Sequence, residues 1–167
     1  MKTTLNKQKL QDLDACREGY EVFIKAHGDK TVTLTEAFNS NGWDDIWWYI
    51  GAAYYYFSSE QKRDLRLLAA DYAEDVLHIF EKESPEDSRP RQAIQASRDY
   101  ANGLIDDAAR AAARAAAKAA ARAAAGAAAR AAAGAAAGAA AWDAARAAKR
   151  EWQEGKLLEL FAKWESA

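Results

Sequence analysis

From Ala108 to Ala141 the chain repeats a unit of three alanines and one other residue. The odd positions are Arg110, Arg114, Lys118, Arg122, Gly126, Arg130, Gly134 and Gly138, and the beat runs on less strictly through Trp142, Arg146, Arg150 and Glu154. Alanine is the best helix former and carries no reactive group. This region is therefore scaffold or binding surface, not active site. A four-residue beat falls short of a whole number of 3.6-residue turns, so the odd residue advances roughly 40° per repeat. Arg110, Arg114, Lys118 and Arg122 then form a slowly winding basic ribbon, with Arg130 further along it. The remaining surface is smooth alanine that lets another helix approach closely.

Alanine buries little apolar area, so the large side chains of residues 1–105 supply most of the core. The tyrosines and half of the tryptophans lie there. The net charge of −2 hides an asymmetry: roughly −5 over residues 1–105 and roughly +3 over residues 106–167. Cys16 is the single cysteine, which excludes an internal disulfide and suits a reducing compartment. The first residues lack the apolar segment of a secretory signal. Uncharged Ala131 to Ala141 is far short of the ~20 apolar residues of a membrane span. A cytoplasmic protein with no membrane association is expected.

Helix signals recur along the chain, and no segment alternates like a strand. Asp14 is expected to cap a helix that ends at Gly28, with Cys16, Tyr20, Phe23 and Ile24 on one face. Thr33 and Glu36 are spaced as a capping box, and Gly42 can end the helix that follows. In the run Trp43–Phe57 the positions Trp43, Ile46, Trp47, Ile50, Ala53, Tyr54 and Phe57 share a face. Trp48, Tyr49, Tyr55 and Tyr56 fall outside it. Such a segment is either the buried centre of a bundle or a partly exposed aromatic patch for a partner. Ser58 and Gln61 make a second capping box. Leu65, Leu68, Ala69, Tyr72, Val76, Ile79 and Phe80 form the next core stripe, opposite an acidic side of Asp64, Asp71, Glu74, Asp75 and Glu81. Asp87 or Ser88 caps a further helix with Pro90 in its first turn, Ala93, Ile94, Ser97 and Ala101 face inward, and Gly103 ends it. Asp106 caps the alanine-rich segment.

One unbroken helix from Asp106 to about Lys163 would span ~85 Å. A compact chain of this size has a radius of gyration of only ~15 Å. A turn or kink between Gly126 and Trp142 is expected, because each glycine there weakens the helix by about 1 kcal/mol against alanine. The segment from Trp142 to Trp164 reads as an amphipathic helix that pins this region back, with Gly155 as a candidate interruption. The fold class is all-α: a helical bundle with a long alanine-rich helix or helical hairpin packed against it. Residues 1–105 are the acidic, aromatic bundle; residues 106–167 are the alanine-rich region with the C-terminal amphipathic helix, as part of the same domain.

Several pieces together resemble a family of phage, prophage and bacterial immunity proteins, the fifth-immunity-type-like group. They are the run Leu68–Glu81, the Pro-x-Asp-x-Arg-Pro-x-x-Ala-Ile pattern of Pro85–Ile94, the alanine array, and the closing segments at Trp142–Arg146 and Glu151–Gln153. The tryptophan-rich helix before them also fits, so the resemblance spans about residues 43–160. It implies an all-α fold and an inhibitory role, and brings no catalytic residues with it.

Catalytic chemistry is absent from the pattern. Two histidines and one cysteine cannot build an ordinary structural zinc site. Cys16 and His27 would stand roughly 16 Å apart along a helix, beyond the reach of a nucleophile and its base. His27 reads as a helix C-terminal residue and His78 as a packing residue. No cofactor is expected. Three binding roles remain. The first is an inhibitor that masks a protein target, either a toxin or a host-defence effector in an anti-CRISPR-like role. Its anchors would be Trp48, Tyr49, Tyr55 and Tyr56, with Asp44, Asp45, Glu74 and Asp75 steering encounter. The second is nucleic-acid binding through Arg110, Arg114, Lys118, Arg122 and Arg130. The third is helix packing or a homodimer through the alanine surface.

The ribbon carries no groups suited to read base edges. Binding to any defined duplex should therefore be weak, non-specific and confined to low salt, as a fluorescence-anisotropy titration from 50 to 200 mM salt would measure. Tight binding to one duplex at physiological salt would overturn that expectation.

Overall fold

A computed structural model describes residues 3–115 and 139–166. The chain is all-α. Its helices are α1 (Lys7–Asp12), α2 (Arg17–His27), α3 (Leu34–Ala52), α4 (Ser59–Glu83), α5 (Arg89–Ala101), α6 (residues 107–115) and α7 (Ala139–Ser166). The predicted turn between Gly126 and Trp142, and the ribbon residues Lys118, Arg122 and Arg130, lie largely or wholly outside the described residues. No described helix is long and apolar enough to cross a membrane. The chain divides into two compact units, Met1–Lys62 with Trp152–Ala167, and Arg63–Glu151. Both boundaries fall within helices, α4 and α7.

In the first unit α2 packs on α3 and α1 on α2. Phe23, Leu34, Ile46, Leu157 and Phe161 are its largest fully buried side chains. The capping box at α3 forms as expected: Glu36 N–H donates to Thr33 Oγ1 at 3.2 Å and Thr33 N–H to Glu36 Oε2 at 2.8 Å. That reciprocal pair satisfies two otherwise orphaned donors. Gly42 takes φ 77°, ψ −171° and breaks α3 into two helical stretches. These angles lie in a region essentially confined to glycine, so a side chain there would cost roughly 1–3 kcal/mol. Gly28 ends α2.

Two features differ from expectation. The cap of α2 is Cys16, whose Sγ accepts from Gly19 N–H at 3.4 Å, while Asp14 sits in a turn at φ 55°. A two-residue antiparallel pair, β1 (Thr4–Leu5) with β2 (Val32–Thr33), ties the N-terminus to the start of α3. Alternation cannot be read over two residues, so this pairing left no pattern in the sequence.

The C-terminal part of α7 completes the same unit. Gly155 does not interrupt the helix. Leu157, Phe161 and Trp164 recur at i, i+4 and i+7 and are buried as one stripe. Trp164 stacks at a tilt on Phe57, centroids 5.6 Å apart, and Glu165 accepts from both the backbone and the hydroxyl of Thr35.

The second unit holds the rest of α4, with α5, α6 and the first part of α7. Ala70, Leu77 and Ile94 form its buried cluster. The predicted α4 stripe is buried at Leu65 and Leu68, but further along Ala70 and Leu77 are buried in place of Ala69 and Val76, which are exposed. Asp64, expected on the solvated side, is buried. Alanine at both 69 and 70 gave the sequence little power to fix the rotation, and Ile94 opposite settles it. Ser88 is the cap position of α5, but the oxygen comes from Asp87, which accepts from Arg89 N–H at 3.1 Å. Ser58–Gln61 and Asp106 cap α4 and α6 as read from the sequence.

Phe161→Ala should cost about 3–5 kcal/mol in urea unfolding, because the site is fully enclosed. Gly42→Ala should cost about 1–3 kcal/mol. A Phe161→Ala loss below 1 kcal/mol would place the end of α7 outside the core.

Candidate protein-binding surface

Between α3 and α4 the chain is held at two buried points, Ala53 and Phe57. The three residues between them, Tyr54–Tyr56, form one 3₁₀ turn. Such a turn advances about three residues per revolution, so consecutive side chains splay in different directions. With both ends anchored inward, Tyr55 and Tyr56 are left 87% and 82% exposed. Lys62 steadies the turn: its ammonium donates to the Tyr55 carbonyl at 3.1 Å and lies 5.5 Å from the Tyr54 ring centre. The Ser58 capping box starts α4 directly after it. Two neighbouring tyrosines are therefore displayed on a fixed backbone.

The other sequence-derived candidates separate. Trp48 is 39% exposed on α3 and shares a helical face with exposed Asp44, four residues earlier. Asp45 is half-buried and takes a hydrogen bond from Asn41 Nδ2 at 2.9 Å, while Asn41 also donates to the Gly19 carbonyl. A Cβ on Gly19 would stand 2.9 Å from the Asp45 carboxylate, so glycine is what lets α2 lie this close. Tyr49, expected as an anchor, is a core residue at 4% exposure. Burial pushes its phenol up to about 12.

Glu74 and Asp75 lie in the second unit and are engaged there. Arg98 donates to Glu74 at 2.6 Å and to Asp71 at 2.7 Å. Hydrogen bonding to Arg98 holds the Glu74 carboxyl below the usual carboxylate range, and Glu74 and Asp71 together push the Arg98 guanidinium further up. Lys149 pairs with Asp75. Carboxylates neutralised this way offer little field to a distant partner. Of the ribbon residues within the described segments, Arg110 bonds Asp107 at 2.7 Å and lies 4.4 Å over the Tyr100 ring. Arg114 is exposed.

The two histidines are held by local contacts. His27 pairs with Ser40 at 2.8 Å and leans on Phe23. His78 is exposed rather than packed, and its Nδ1 lies 2.9 Å from the Asp75 carbonyl. Among the described residues no group of three His, Cys, Asp or Glu is placed to hold a metal. Sequence reasoning missed one feature: a cavity of about 510 Å³ in the first unit, walled by Tyr49, Phe57 and Trp164 and reached by Tyr56. Its walls come from segments far apart in the chain, so no local pattern announces it.

A family model described as "Imm-5 like putative immunity protein" matches residues 56–147. No curated protein and no solved structure matches the chain.

The Glu74–Arg98 pair makes a pH-dependent prediction. The folded-state value of Glu74 is depressed, so the stabilisation is present above the ordinary glutamate range and is lost as pH falls through the folded value. Arg98→Met should return the Glu74 titration, followed by NMR, toward its ordinary value. An unchanged titration would mean that the pair does not form in solution.

Proposed function

The chain belongs to the Imm-5-like immunity protein family, and from that membership together with the exposed tyrosine turn we infer that it is a non-enzymatic immunity protein that binds and masks a partner protein. The observation that carries the binding surface is the display of Tyr55 and Tyr56 between buried Ala53 and Phe57. Tyrosine and tryptophan dominate interface hot spots because they present large contact area with few torsions to freeze. A turn already held in place loses little further entropy on association. A standard interface covers about 800 Å² per partner. The turn supplies its centre, and Trp48 with Asp44 is the next candidate patch.

The target fits a nucleic-acid-processing toxin or a phage-defence nuclease. Such enzymes offer basic clefts, and the first 105 residues carry a net charge of roughly −5. Complementary charge speeds encounter more than it deepens affinity. Asp44, exposed on α3, is a steering candidate, as are Glu74 and Asp75, which pair with Arg98 and Lys149 within the fold. The rival nucleic-acid role for the ribbon loses force at Arg110, which is spent on Asp107 and Tyr100.

Co-purification from the native host, with identification of the bound protein, supplies the target. Against it, Tyr55→Ala/Tyr56→Ala should raise the dissociation rate at least tenfold, about 1.4 kcal/mol, with the helical spectrum and melting unchanged. Asp44→Lys should slow association at low salt and have less effect at high salt. Unaltered kinetics in both variants would place the interface elsewhere. Inactivation of the target at sub-stoichiometric ratios would show catalysis instead of masking.

A further inference from the structure

The tyrosine turn is pinned differently at its two ends. The first anchor, Ala53, continues directly from α3 as its cap position. The second, Phe57, is a buried ring set against two others: Tyr49 edge-on at 6.5 Å and Trp164 at a tilt at 5.6 Å. Tyr49 belongs to the helix that leads into the turn. Lys62, which holds the Tyr55 carbonyl, and the Ser58–Gln61 cap are equally local. Trp164 instead arrives from the last turn of α7.

That last helical turn has its own attachments. Trp164 is 5% exposed and lies beside Phe161, centroids 6.0 Å apart. Glu165, its neighbour, accepts from Thr35 N–H at 3.1 Å and from Thr35 Oγ1 at 2.8 Å. Helix ends open locally at far lower cost than a core. An opening confined to residues 162–166 lifts Trp164 and breaks both Thr35 bonds, while fully buried Leu157 and Phe161 stay in place. Phe57 then loses a ring neighbour, and the second end of the turn is no longer fixed.

We propose that the last turn of α7 is a latch on the tyrosine turn. Seated, it holds Tyr55 and Tyr56 ready for a protein partner; lifted, it lets their backbone move. The proposal rests on the reading of these tyrosines as partner contacts and adds how their readiness is set. Coupling of this kind is reciprocal: whatever favours the held turn favours the seated latch by the same factor. A partner that grips the tyrosines therefore closes a helical turn it need not touch. Its apparent affinity scales with the fraction of molecules in which the latch is seated.

The test needs no partner. In the full-length ¹⁵N-labelled protein the heteronuclear NOE reads fast motion at residues 54–56, and amide hydrogen exchange reads opening of residues 162–166. Glu165→Ala removes the Thr35 bonds and leaves every ring in place; it should speed exchange at 162–166 and lower the NOE at 54–56. Trp164→Ala should do both more strongly. Phe23→Leu, at a fully buried site on α2, is the control for general destabilisation and should leave the NOE at 54–56 unchanged. In the reverse direction, Tyr55→Gly/Tyr56→Gly frees the backbone of the turn without altering the core. It should speed exchange at 162–166 about fivefold or more, with the amides of α2 unaffected.

Faster exchange at 162–166 in Glu165→Ala beside an unaltered turn would overturn the latch. So would a turn loosened equally by Phe23→Leu, or unchanged exchange at 162–166 in the glycine variant. Should Trp164→Ala fail to fold, Glu165→Ala and the glycine variant decide the question. The masking role is tested separately, by the dissociation kinetics of Tyr55→Ala/Tyr56→Ala against the co-purified partner. Coupling without that kinetic effect would sink the turn as anchor, and the kinetic effect without coupling would sink the latch alone.

Discussion

Thr35 and Glu165 are 130 residues apart in sequence, and their hydrogen bonds mark the contact on which the first unit depends. The N-terminal helices do not close their own core. Leu157, Phe161 and Trp164 arrive from the far end of the chain and fill it. Burial of three such side chains contributes on the order of 5–9 kcal/mol before the entropy of closing so long a loop is counted. Loop closure grows only logarithmically with length, so a distant segment with a strong apolar stripe can still win. The same contact governs display of the turn. Trp164 seats Phe57, and Phe57 is one of the two points that force Tyr55 and Tyr56 outward.

The second unit rests on a different balance. Among its described residues the buried apolar side chains are Leu65, Leu68, Ala70, Leu77, Ile94 and Ala101. Polar groups orient it. Arg98 on α5 spans Asp71 and Glu74 of α4, Arg91 reaches Glu81, and Arg63 reaches Asn102. Exposed pairs of this kind are each worth at most about 1 kcal/mol, so their role is register more than stability. Tyr100 lies against the guanidinium groups of Arg66 and Arg110, which ties α4, α5 and α6 together. The first residue of the basic ribbon is thereby a packing cation, not a free phosphate contact.

The parts of this fold legible in the sequence are those that local chemistry decides. Thr33–Glu36, Ser58–Gln61 and Asp106 cap their helices because a side-chain oxygen meets orphan N–H groups within three residues. Gly42 breaks α3 because few other residues accept its backbone angles. What escaped reading depends on tertiary packing. Cys16 displaced Asp14 as a cap, Ala70 and Leu77 displaced Ala69 and Val76 in the stripe, and Tyr49 turned inward. In the stripe the competing residues had similar propensity and contact with another segment chose between them, whereas at the start of α2 the residue type better suited to capping, Asp14, gave way to Cys16. The family resemblance was legible for the same reason as the caps: the Pro85–Ile94 run is a contiguous pattern that needs no tertiary knowledge.

These two economies bear on where binding energy can reside. Alanine is depleted at interfaces because it offers little area to desolvate. An array built of it can set spacing and stay soluble through its arginines, yet it cannot supply hot spots. The aromatic residues can, and the fold buries Phe23, Tyr49, Phe57, Phe161 and Trp164 in its core. Tyr55 and Tyr56 are the most exposed aromatic residues among those described, held out by a turn whose ends are fixed. Turning them inward would require releasing Ala53 or Phe57 from the core, so their exposure is a property of the fold and not of a loose loop. On the masking reading, a partner that covers them gains their burial without first ordering the backbone that carries them.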